Sequence, residues 1–127
     1  MNTEKLKEYA PAVARIGLSL VFLWFGINQL INPALFEGYV PAFLGTIAHA
    51  VVLGNGIAEV ILGLLLFAGL FTRIVALLLA IHLAAITISL GFGEIAVRDF
   101  GLFCATLAVA LWGEDTFSLR QLMKKKS

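Results

Sequence analysis

The sequence predicts an all-α integral membrane protein, a four-helix bundle forming a single domain over residues 1–127. Three observations predict it. Of the 127 residues, 61% are hydrophobic and only 13% charged, whereas soluble domains carry roughly a quarter charged residues. Mean hydropathy is +0.99. The apolar residues gather in four continuous segments, near 12–31, 50–70, 74–90 and 97–113, without the period-two alternation of a membrane β-barrel.

The first segment, "AVARIGLSLVFLWFGINQLI", runs from Ala12 to Ile31, and a helix of about 20 apolar residues crosses the hydrocarbon. Its basic start, Lys5 and Lys7, resembles a signal peptide, but the apolar run is too long and no A-x-A-like site follows. The connection "NPALFEGYVPAFLG" holds the breakers Pro33, Gly38 and Pro41. Its aromatics Phe36, Tyr39 and Phe43 suit a membrane–water interface. The second segment extends from about Ala50 to Leu70. "GLFTR" then makes a tight turn, with Thr72 expected to cap the third helix. The third segment ends near Leu90, and "GFGEIAV" connects it to the fourth, which borrows residues from that connection. The tail "EDTFSLRQLMKKKS" is too short to cross and predicts a brief basic amphipathic helix on the surface. Its lysines, Lys124 to Lys126, fix orientation or touch anionic lipid heads.

Both termini are expected in the cytoplasm of a prokaryotic cell whose plasma membrane the chain crosses several times. That arrangement leaves only Arg98 outside among nine Lys and Arg residues, as the positive-inside rule asks. Arg15 counts as inside, snorkelling from the cytoplasmic end of the first span.

Composition also excludes functions. A net charge of +1, with no basic stripe interleaved with aromatics, argues against nucleic acid. The lone cysteine, Cys104, makes no intramolecular disulfide and belongs to packing. No metal cluster, haem axial pair or flavin fingerprint is present.

The polar residues inside the spans carry the chemistry. Glu59 lies about nine residues into its segment, or about 14 Å at the helical rise, and half the hydrocarbon is about 15 Å. His82 reaches the same depth from the other side. A bare carboxylate there costs several kcal/mol, so it is protonated, faces the helices or has a partner. His82 is the expected partner, and a Glu–His pair that shares a proton suits proton transfer. Glu59 and His82 are therefore the candidate catalytic residues. Asn55 lies one turn above Glu59. Asn28 and Gln29 end the first span, and Arg98 and Asp99 open the fourth. Asn55, Arg98, Asp99, Asn28 and Arg15 are the candidate ligand-binding residues. Arg15, Ser19, Phe22, Gly26 and Gln29 follow helical spacing and form an expected inward seam.

Simpler roles exist for several of them. Glu59 suits a neutral acid bonded to a neighbouring helix, Asp99 a helix cap, and Arg98 a partner for Glu94. Three stripes of small residues, Ala50–Gly54–Ala58, Ala76–Ala80–Ala84 and Gly101–Ala105–Ala108, predict close helix packing and a homo-oligomer.

Several of these stretches carry a family likeness. "RIGLSLVFLWFGINQL", "GNGIAEVILGLLLFAGLFTRIVALLLAIHLAAI" and "RDFGLFCATLAVALWG" resemble the DoxX family of small four-helix membrane proteins, from Arg15 to Gly113. The marks are Arg15-x-Gly17, Glu59 with Gly63, Gly69 to Arg73, and Arg98-Asp99-x-Gly101-Leu102. Many relatives end the first span with a lysine where this chain has Asn28-Gln29. The resemblance implies a membrane subunit of a redox complex, since the family takes its name from a subunit of a thiosulfate:quinone oxidoreductase. Quinone as bound substrate, a small sulfur compound or similar donor, a redox partner protein and membrane lipids are the expected ligands and partners. The competing expectations are a non-enzymatic binder of lipid or another apolar ligand, and a membrane assembly or scaffold protein.

Overall fold

A computed structural model describes residues 3–40, 42–90 and 93–126. Pro41, Gly91 and Phe92, assigned above to connections, lie outside the described residues, as do the side chains of Tyr39, Glu94, Lys125 and Lys126. All regular structure among the described residues is helical: α1 (Thr3–Ile31), α2 (Ala48–Ala68), α3 (Thr72–Leu90), α4 (Glu94–Trp112) and α5 (Leu119–Lys126). Short 3-10 turns at Pro33–Leu35, Glu37–Tyr39 and Ala42–Ile47 fill the α1–α2 connection. Among the described residues, two helical stretches are long and apolar enough to cross a membrane, Thr3–Ile31 and Ala42–Ala68.

α1 packs along α2 and α3 along α4, as two antiparallel hairpins joined by lighter α1–α4 and α2–α3 contacts. The buried face of α1 is Ala12, Arg15, Leu18, Ser19, Phe22, Gly26 and Gln29. The inward seam expected from helical spacing is contained in it. The buried face of α2 is Val52, Gly56, Glu59, Gly63 and Leu66. A core of Leu18, Phe22, Leu66, Val75, Ala76, Leu79, Leu83, Val109 and Ala110 joins α1 to α4.

The close approach of α1 and α2 depends on glycine. A Cβ on Gly56 would stand 3.0 Å from the Gly26 carbonyl oxygen, and one on Gly26 would stand 3.0 Å from that of Gly56. The stripe predicted at Ala50, Gly54 and Ala58 instead faces outward, and so does Gly101–Ala105–Ala108. Glu59 claims the inner face of α2, and Gly56 and Gly63 share that face at helical spacing. On α3, Ala76 and Ala80 are buried as expected.

α2 ends in a Schellman motif. Gly69 sits at φ 78, and the Leu70 N–H reaches the Leu65 carbonyl at 3.0 Å. Phe71 follows at φ 52, and its carbonyl accepts the Val75 N–H at 2.9 Å. The cap of α3 is thus Phe71, not Thr72. Thr72 is the first helical residue, and its buried hydroxyl oxygen has no hydrogen-bond partner. Asp99 is likewise no cap: α4 starts at Glu94 after Gly93, so Asp99 lies in its second turn. Cys104 is exposed on α4, not packed inside.

Candidate functional site

Four side chains from three helices meet in one polar cluster. Gln29 on α1 donates its amide N–H to Glu59 Oε2 at 3.1 Å and to the Phe25 carbonyl at 3.2 Å. Asn55, one turn before Glu59 on α2, donates to Glu59 Oε1 at 3.1 Å and to Gln29 Oε1 at 2.8 Å. His82 on α3 brings Nε2 to 3.0 Å from Glu59 Oε1. Gln29 and Glu59 are each only 5% exposed, while Asn55 and His82 are half-buried. The carboxyl therefore lies inside, and the imidazole links it to the outer surface of the helices.

This arrangement has a definite chemistry. Two amides donate to both carboxyl oxygens, which fixes the carboxyl in place between α1 and α2. The His82 contact admits two states: a carboxylate accepting an Nε2–H, or a carboxylic acid donating to a bare Nε2. Moving one proton along a single 3.0 Å contact interconverts them.

Gln29, rather than Asn28, delivers the first helix to this cluster. Asn28 points about 100° away on the helix and donates to its own Trp24 carbonyl at 2.7 Å. The inward seam already contained Gln29, so its spacing was the signal. Arg98 and Asp99 pair with each other at 3.4 Å. Arg98 covers the Phe25 ring at 5.7 Å, while Asp99 is buried. The predicted pairing of Arg98 with Glu94 falls on a side chain outside the described residues.

Arg15 belongs to a different site. It lies fourteen residues before Gln29, about 21 Å along α1, and it does not snorkel. Its guanidinium is 2% exposed and its Nε donates to Asp115 Oδ2 at 2.7 Å. Nη1 donates to the Leu66 carbonyl at 3.0 Å and to that of Phe67. These carbonyls end α2, where a cation also meets the negative end of the helix dipole. Asp115 Oδ1 accepts the Phe117 N–H at 2.8 Å, and the Ser118 hydroxyl donates to the Asp115 carbonyl at 2.8 Å. Arg15 thus locks the segment after α4 beneath α2, and no local sequence signal marks Asp115 as its partner.

The DoxX family model matches residues 10–91. The chain belongs to the DoxX family. That stretch of the DoxX chain holds Gln29, Asn55, Glu59 and His82 together, with Arg15. It also makes this DoxX chain a membrane protein, of a family whose members are often subunits of redox complexes. No curated protein and no solved structure matches the chain.

Proposed function

We propose that this DoxX-family chain is the membrane subunit of a redox assembly, and that the Gln29–Asn55–Glu59–His82 cluster serves a bound quinone. In this reading α1 to α4 cross a prokaryotic plasma membrane as a four-helix bundle, with both termini in the cytoplasm. The observation that supports it is the buried Glu59 carboxyl, 3.0 Å from an imidazole that is itself half-exposed. Two-electron reduction of a quinone to a quinol takes up two protons. The Glu59–His82 contact holds one exchangeable proton for the first, and the half-exposed imidazole takes up the second from water and passes it on. Asn55 exchanges its bond to Gln29 Oε1 for one to a quinone carbonyl, and Arg98 attracts an anionic donor such as a small sulfur compound. The electrons come from a redox partner protein.

A quinone titration of the purified chain in lipid nanodiscs tests this. Saturable binding that weakens at least tenfold in Glu59→Gln is the expected result, a loss of about 1.4 kcal/mol. Absent saturation, or equal binding by the variant, sinks the reading. The outward stripe Ala50–Gly54–Ala58 favours a second reading, an assembly protein that packs on larger membrane partners. In that case Gly54→Leu abolishes assembly, while Glu59→Gln leaves it intact.

A further inference from the structure

Beside the α2–α3 turn, away from Glu59 in the middle of α2, a groove of about 400 Å³ opens, lined by Phe71, Arg73, Ile74, Trp112, Glu114, Arg120 and Gln121. We infer that this groove binds the phosphate group of an anionic amphiphile through Arg73 and Arg120.

Three observations carry the inference. Both guanidinium groups are positioned. Arg73 lies against the backbone of Gly113, where an added Cβ would stand 2.4 Å from its Nε, and its Nη2 reaches the Trp112 carbonyl at 3.5 Å. Arg120 stacks over the Phe71 ring at 5.7 Å. Both are also available, since Arg73 is exposed and the Arg120 side chain is 45% exposed. Each keeps unused N–H donors in a planar fork that suits phosphate oxygens. Finally, the groove is two-sided. Phe71, Ile74 and Trp112, all exposed, present an apolar wall that accepts the first carbons of a chain next to the headgroup. Among the described lining residues the opposing charge is Glu114, 3.8 Å from Arg120 Nε, which an entering anion displaces.

Native mass spectrometry of the full chain from nanodiscs of equal phosphatidylglycerol and phosphatidylcholine tests this, with inorganic phosphate as the second probe. The expected result is preferential retention of phosphatidylglycerol, falling well over fivefold for Arg120→Gln, beyond the value of one surface cation near anionic lipid. Arg73→Gln produces a similar fall, and Glu114→Gln a rise. Lys7→Gln, an exposed cation at the same end of α1, leaves the preference unchanged. Displacement of the lipid by millimolar inorganic phosphate assigns the groove to a soluble phosphate compound, and resistance assigns it to a lipid headgroup. Equal retention of the two lipids together with no phosphate binding overturns the inference. So does a fall in Lys7→Gln equal to that in Arg120→Gln, which marks general charge rather than a site.

Discussion

Gly26 and Gly56 face each other across α1 and α2 so closely that a methyl group on either would lie 3.0 Å from the other's carbonyl oxygen. The same crossing sets the reach of Gln29, whose Cβ would stand 3.1 Å from a Cβ on Gly56. Gly56→Ala is expected to cost about 1–3 kcal/mol, the usual penalty of overpacking. Gly54→Ala, with open space around its Cβ position, is expected to stay within about 0.5 kcal/mol. Reversible unfolding in mixed micelles measures both.

Gln29 and Asn28 are adjacent amides with different surroundings, which makes them a matched pair. Gln29→Leu removes one donor to Glu59 Oε2 and the acceptor of one Asn55 N–H, and leaves Glu59 Oε2 short of a partner, a loss of about 1–3 kcal/mol. Asn28→Leu removes one bond within its own helix and is expected to change stability by less than about 0.5 kcal/mol. Equal effects in the same unfolding assay contradict the cluster geometry.

The Glu59–His82 contact predicts a spectroscopic signature. Infrared difference spectra between the reduced and oxidised assembly are expected to show a Glu59 carboxyl or carboxylate band that disappears in Glu59→Gln. In His82→Gln the band shifts, because an amide replaces the ring nitrogen at 3.0 Å. A band unmoved by that change shows that the two groups do not share a proton.

Breaking the Arg15–Asp115 pair leaves one buried charge uncompensated, which costs about 3–5 kcal/mol. Asp115→Leu and Arg15→Met are each expected to lose that amount. The double variant recovers part of it, because no buried charge is then uncompensated, while the Leu66 and Phe67 carbonyls and the Phe117 N–H still lose a partner. A double-mutant cycle that shows simple additivity rules out the coupling.

Much of this was legible in the sequence, for identifiable reasons. The α1 face followed from a single periodicity: Arg15, Ser19, Phe22, Gly26 and Gln29 recur at helical spacing, and all five are buried. Glu59 and His82 could be matched in depth because a tight turn sets the register of α2 against α3. The choice of Gly54 over Gly56 failed because α2 is apolar and small-residue-rich on several faces. Only the polar Glu59 distinguishes one face, and Gly56 and Gly63 lie at i−3 and i+4 from it. Asp115 was not legible at all, since its partner lies 100 residues away and an irregular turn sets its direction. Thr72 misled because capping preference is local, whereas the Schellman turn shifts the start of α3 by one residue.

The distance in sequence between Arg15 and Asp115 sets a clock for biogenesis. A ribosome adding roughly 5–20 residues per second delivers the aspartate about 5–20 seconds after the arginine. During that interval the guanidinium lacks Asp115, and the Leu66 and Phe67 carbonyls that also accept from it arrive about halfway through. The Arg15 site is therefore completed only after α2, α3 and α4 have been made.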